Sequence, residues 1–241
     1  MTFRHGKTTL VLVGTTDLSA YLNDSSVTDE VAADETTTYG QGAHTYLPGL
    51  EDVTVSMSGL YDGDEGAVDE VLQTTLKGDE LVQALVVSDS PAQTGNRCAF
   101  LDAVHTSYEV SNPVADVVSI SAELQGSNGS ATGLLLSGQD ELSADGTSPS
   151  VDGGDYSSTR ALLRIHVLAN TRDGVSTFQF EQSADDVTFA NLGTAITVPA
   201  GETGVFTVEV DGSTVERYLQ LDRTLAGTTG SVTIVAAAAR L

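Results

Sequence analysis

Lysine is nearly missing from this 241-residue chain. Lys7 and Lys77 are the only two, and ten basic residues face 34 acids, for a formal charge of −24. A surface of that sign repels nucleic-acid phosphates and anionic membranes, which argues against a protein that grips DNA. Cysteine is as scarce. Cys98 stands alone, so no disulfide can close within the chain and no thiolate metal cage can form. Tryptophan is absent and aromatics make up 5%, which leaves little for stacking on sugars. No apolar stretch approaches the roughly 18 residues that cross a bilayer as a helix. Met1 to Leu12 holds no apolar run of signal-peptide length, so the expectation is a protein made and folded in a cytoplasm.

What is present reads as strand. Apolar residues reach 40%, enough for a packed core. Val and Thr, stiff at the β-carbon, recur throughout. Short apolar runs at Thr8–Val13, Leu81–Val87, Cys98–Val110 and Val114–Leu124 predict strands, with Ser111-Asn112-Pro113 as a hairpin turn. Val53, Val55 and Met57 alternate with Thr54, Ser56 and Ser58, the pattern of a half-buried strand. One helix is expected over Asp64–Lys77, with Val68, Val71, Leu72 and Leu76 on one face, Asp62 or Asp64 as cap, and Gly78 as stop. Beyond residue 159, six short strand candidates separated by Gly- and Asp-rich turns give the spacing of a second β-sandwich.

Between them, residues 139–158 have linker composition: Gly, Ser, Asp and Pro with no apolar period. The expected organisation is therefore 1–138, a linker over 139–158, and 159–241. Residues 1–138 hold 20 acids and 4 bases, whereas 159–241 hold 9 acids and 6 bases. A solubility surface or adaptation to high salt is the plain reading of the charge, but a general high-salt adaptation would load both parts alike. The asymmetry points to a local use of acidity in the first.

The chain shows no assembled chemistry. His5, His44, His105 and His166 have no metal-ligand spacing, and no nucleotide-binding or hydrolase motif occurs. Cys98 opens a strand with no nearby basic cluster and reads as a small buried apolar residue. Asp62-Gly63-Asp64-Glu65-Gly66 lacks the later Glu of a calcium loop and reads as a turn. The matches to the glycosylation sequon at Asn23 and Asn128 are expected by chance. No enzyme, cofactor or metal is expected.

A resemblance rests on the order of short motifs. Phe3-Arg4-His5-Gly6-Lys7 leads into a strand. Asp17-Leu18-Ser19-Ala20-Tyr21-Leu22, Glu35-Thr36-Thr37-Thr38-Tyr39-Gly40, Tyr46-Leu47-Pro48-Gly49-Leu50-Glu51-Asp52 and Gly59-Leu60-Tyr61-Asp62 follow. Over residues 1–137 this order resembles the major tail tube proteins of long-tailed phages and of archaeal tailed viruses. The resemblance implies an all-β chain with one flanking helix: a tail-tube β-barrel or sandwich, then a second β-sandwich. It implies subunits that form rings, commonly hexamers, stacked into a tube through which viral DNA leaves the capsid. The implied partners are further copies of the chain, the tail terminator, and tail tip or tape-measure proteins. The implied location is the virion tail, assembled in the host cytoplasm. Gln182–Phe189 and Glu216–Leu221 resemble immunoglobulin-like or jelly-roll modules that decorate virion proteins.

A DNA conduit must not bind its cargo, and a lumen of Asp and Glu would let the duplex slide. Asp102, Glu109, Asp116 and Glu123 are the candidate lumen-facing acids. Asp102 and Glu109 are seven apart, as are Asp116 and Glu123, so strict alternation puts each pair on opposite faces unless a bulge intervenes. Asp24 to Tyr39, with Asp29, Glu30, Asp34 and Glu35, is expected as an inter-subunit assembly loop or hairpin, β-prone only at its Thr end. The competing reading is a secreted or surface β-sandwich that binds carbohydrate. It is disfavoured by the missing signal peptide and the scarce aromatics.

Overall fold

The structure is a computed structural model that describes residues 6–78, 80–88, 91–154 and 158–241. In chain order the first strands are β1 (Leu10–Val13), β2 (Thr16–Asp17), β3 (Leu22–Glu35), β4 (Tyr46–Leu60), β5 (Val82–Val87), β6 (Arg97–Ser111), β7 (Ser119–Leu142), β8 (Gly146–Thr147) and β9 (Val151–Asp152). They continue with β10 (Ser158–Asn170), β11 (Ser176–Ser183), β12 (Ala190–Asn191), β13 (Ile196–Val198), β14 (Gly204–Val215), β15 (Tyr218–Leu225) and β16 (Val232–Arg240). The helix α1 (Val68–Lys77) lies between β4 and β5. The chain is thus almost entirely antiparallel β with one helix. Residues 1–5, which carry His5 and most of the first motif, lie outside the described residues.

The chain divides into two compact units. The first comprises residues 1–20, 83–100 and 131–241, and the second residues 21–82 and 101–130. In the first unit one sheet runs β14-β10-β16-β7-β6-β5-β1-β2, and another runs β12-β11-β15-β8 with β13 and β9 at its sides. Their facing sides form a sandwich core around Leu163, Ile165, Phe178, Phe180, Leu221 and Ile234. A second apolar cluster, with Leu12, Leu85, Phe100 and Leu135, covers the opposite face of the first sheet.

Strand β16 is the shared wall. Ile234, Ala236 and Ala238 point into the sandwich, while Val235, Ala237 and Ala239 point into the other cluster. A strand buried on both faces shows an unbroken apolar run rather than alternation. Its alanines let neighbouring strands approach closely. Gly133 on β7 is required for the same reason, since a Cβ there would run into the backbone of Ala238.

The segment read as a linker carries structure. Asp140, Glu141 and Leu142 of β7 pair with Ile234, Thr233 and Val232, and Thr147 and Val151 pair with Asp222 and Leu219 of β15. Composition alone cannot register such long-range partners. The polar stretch is a sheet edge with turns. Asp211-Gly212-Ser213, one of the Gly- and Asp-rich stretches expected as turns, falls inside β14, with Gly212 at φ 73°.

In the second unit β3 pairs with β4, and β4 pairs with β7. Val53, Val55 and Met57 of β4, Ile120, Ala122 and Leu124 of β7, and Leu101, Ala103 and His105 of β6 are all buried. Val68 and Leu72 supply the buried face of α1. The helix begins at Val68, four residues later than expected, with Ala67 at its cap position and no side-chain cap. Asp62 instead closes a turn, its carboxylate accepting the Asp64 N–H at 3.0 Å, and Glu70 accepts the Gly66 N–H at 2.7 Å. Gly78 is extended (φ −74°) and leaves the helix without the left-handed turn expected of a glycine stop.

Candidate functional site

The second unit holds 18 acids and one lysine, a formal −17 of the chain's −24. Part of this acidity, Asp24, Asp102, Glu109 and Glu123, sits on one face of its sheet. Once Val53, Val55 and Met57 turn inward, alternation turns Thr54, Ser56 and Ser58 outward. Register then lays out rows across three strands: Asp24–Ser58–Ser121, Ser26–Ser56–Glu123 and Thr28–Thr54–Gln125. Gln125 is fixed by the Asp52 carboxylate and donates to the Val53 carbonyl at 3.1 Å.

Two shallow clefts of about 220 and 270 Å³ lie along this face. Asp24, Ser56, Ser58, Ser121 and Glu123 line the first, and Asn23, Ser58, Glu109, Ser119 and Ser121 the second. The unit's one lysine, Lys77, donates to Gln73 in the last turn of the helix. The arrangement is an anionic, hydroxyl-rich wall. Its clefts offer a phosphate no cation to pair with and a sugar no aromatic platform.

The structure separates the four candidate lumen acids. Glu109 and Glu123 both line the clefts. Asp102 lies between the buried Leu101 and Ala103, so it projects to the same face. Strict alternation would exclude that, and a break in β6 is the reason it occurs. His105 is buried with Nδ1 2.9 Å from the Thr75 hydroxyl, and Tyr108, three residues on, donates to Asp69 on the same helix at 2.7 Å. Two helix-facing residues three apart shift the alternation by one, and Glu109 swings outward. Asp116 departs from its expected place. The strand begins at Ser119, not Val114, and Asp116 sits in the preceding turn, accepting the Val117 N–H at 2.8 Å.

β3 and β4 form an antiparallel hairpin, and the parts of the expected assembly loop are reversed within it. The acidic stretch through Glu35 is strand, whereas Thr36–Tyr39 belongs to the turn. Threonines there hold the turn instead of extending it: Thr36 N–H donates to the Thr45 carbonyl at 2.8 Å, and Gln41 accepts the Thr38 N–H at 3.0 Å. His44 Nδ1 lies 2.6 Å from Glu35, and this contact lowers the Glu35 pKa. Asp29 accepts the Ser130 hydroxyl at 3.3 Å, and Glu30 stands opposite Asp52 in the ladder.

Every residue from 28 to 52 is exposed, including Val31, Tyr39, Leu47 and Leu50. A two-stranded ribbon with no covered face is marginal in water. Ser56 and Ser58 stand on the outer side of the strand, as their alternation implies, but nothing in the sequence assigned them a role; Ser119 and Ser121, alternating with Ile120 and Ala122, carry the same signal.

Other groups are structural. Burial pushes the Cys98 thiol up to about 12. Among the described residues no cluster of three or more His, Cys, Asp or Glu could hold a metal ion. Among the described residues no helix is long and apolar enough to cross a membrane.

No protein-family model matches the sequence. No curated protein matches it either. Among solved structures, a chain from the virion of a native gene transfer agent particle is 14% identical, covers 54% of this chain and 98% of its own, and has a TM-score of 0.44. A chain from the tail of an empty gene transfer agent particle, refined with C6 symmetry, is 13% identical, with 54% and 98% coverage and a TM-score of 0.44. The Dit protein of phage SPP1, described as a hub adsorption apparatus of phages that infect Gram-positive bacteria, is 12% identical, with 95% and 98% coverage and a TM-score of 0.39.

Proposed function

We propose that this protein is a structural subunit of a viral tail, the building block of a tube made of stacked rings. The observation that carries the reading is the arm formed by residues 28–52, exposed along its whole length yet bearing Val31, Tyr46, Leu47 and Leu50. Such a ribbon gains stability only by lying on another molecule, and the free outer edge of β3 offers further copies a row of backbone groups. The order of motifs through residue 137 supports the tail-tube assignment in particular.

In the tube, the acid–serine face of the second unit is turned to the channel. Glu109, Glu123, Asp24 and Asp102 line it, and DNA passes without specific contacts because the wall carries no cation to release its counterions. The tail terminator and the tip or tape-measure proteins cap the ends of the stack. The work of the chain is assembly, not catalysis. Negative-stain microscopy of the concentrated protein tests this reading. Rings or tubes are expected. A protein that remains monomeric at high concentration, in low and in high salt, would rule it out.

A further inference from the structure

In a chain this acidic, the use made of each arginine is informative. Arg217 grips Asp152 through two bonds of 2.7 and 2.8 Å, Arg172 donates to main-chain carbonyls of Leu225 and Ala226, and Arg164 is fully buried beside Thr207. Arg97 and Arg240 differ. They line one cleft of about 240 Å³ in the first unit, with Thr132, Leu134, Gly153 and Ala238. Strand alternation explains why they meet. Cys98 and Phe100 face the cluster around Leu135, so Arg97 faces the other side of the sheet, where Ala238 and therefore Arg240 also point.

The Arg240 guanidinium is held in place. One terminal nitrogen donates to the carbonyls of Glu216 and Arg217 at 2.6 and 2.7 Å, and it lies under Gly153, where any Cβ would collide with it. Its Nε is buried without a hydrogen-bond partner. The nearby Asp152 carboxylate is already committed to Arg217. Arg97 is exposed, and among the described residues neither Arg97 nor Arg240 forms an ion pair. The cleft thus presents two cations, one pre-positioned, with a threonine hydroxyl beside them. That is the donor set for a carboxylate.

We propose that this cleft receives a carboxylate of a second copy of the chain, supplied by the arm at Glu30 or Asp34. The proposal rests on the reading that copies assemble. Charge complementarity selects the occupant: the arm is exposed and acidic, and copies of a −24 chain otherwise repel. Within the arm, Glu35 is engaged by His44 and Asp29 by Ser130. Glu30 faces the like charge of Asp52, which an external cation would relieve. The eight residues from Thr28 to Glu35 span about 26 Å as strand, ample reach to a neighbour.

The test is a charge swap in the full chain. Arg97→Glu, at an exposed position, is expected to keep the wild-type circular dichroism spectrum and to raise the concentration needed for assembly by light scattering at least tenfold. Arg97→Ser should give a smaller shift. Adding Asp34→Arg or Glu30→Arg to Arg97→Glu should restore assembly. If Arg97→Glu assembles like wild type, or if neither swap restores it, the proposal is overturned while tube formation stands. If the wild type itself never assembles, both fall. Binding of inorganic phosphate in the cleft with no effect on assembly would also overturn the proposal, by making it a site for free anions.

Discussion

The phenol of Tyr108 donates a 2.7 Å hydrogen bond to Asp69 Oδ1, joining β6 to the first turn of α1. With His105 bound to Thr75 six residues further along the helix, it fixes the break in alternation that turns Glu109 outward. Burial and the neighbouring Asp69 carboxylate raise the Tyr108 pKa well above the ordinary phenol value, so the phenol remains a donor. The same bond is the largest cause lowering the Asp69 pKa.

Tyr108→Phe is therefore expected to destabilise the protein by about 1 kcal/mol near neutral pH, the scale of a partly exposed hydrogen bond to a charged group. Asp69 is depressed in the fold, so its contribution is present above its unfolded value of about 3.9 and is lost as pH falls through the lowered folded value. Urea melts of wild type and variant should differ between pH 5 and 9, by about that amount, and converge in strong acid. A constant difference at all pH values would mean that lost packing, not the bond, causes it.

His166 governs a second pH dependence. It is fully buried, donates Nδ1–H to the Gly14 carbonyl at 2.7 Å, and leaves Nε2 without a partner. Burial, reinforced by Arg164 against the Gly14 bond, lowers its pKa to about 4. The unfolded chain then binds a proton that the folded chain refuses between about pH 6.5 and 4, and stability falls through that window by up to about 3 kcal/mol. His166→Gln should flatten this part of the stability–pH profile. An unchanged profile would show that His166 does not titrate on unfolding.

Ala237 tests the doubly buried strand. It is completely inaccessible and sits in the cluster with Phe100 and Leu135. Ala237→Leu should cost about 1–3 kcal/mol through overpacking, read as a drop in denaturation midpoint. A chain cut at Gly138 loses β10, β14 and β16 from the same sheet and is expected to be insoluble or unfolded. If that fragment folds and assembles, the two-sided burial of β16 is not essential.

Much of this fold was legible where a residue's environment is set by near neighbours. The alternation at Val53–Ser58, the apolar run Leu81–Val87 and the small buried Cys98 all appear in the structure as the sequence implies. What was illegible depends on distant partners. Residues 139–152 look like a linker until β15 and β16 pair with them. Glu109 changes face because His105 and Tyr108 both find partners on a helix more than 29 residues away. Asp24 looks like loop until register sets it beside Ser58.

The arm makes a dynamic prediction. Its ladder hydrogen bonds are solvent-exposed, so amides of residues 28–35 and 46–52 should exchange quickly in the free subunit. In an assembled particle they should be strongly protected. Equal protection in both states would remove the arm from the interface.

The most direct measurement is a cryo-electron microscopy reconstruction of the assembled protein, read for the radial position of the Ser56–Ser58 and Ser119–Glu123 strands. A tube subunit requires rings with a central channel walled by Glu109 and Glu123, and arms 28–52 lying on neighbouring copies. Rings whose channel is lined by other strands, with that face turned outward to solvent, would contradict the assignment of the acid–serine face to DNA passage.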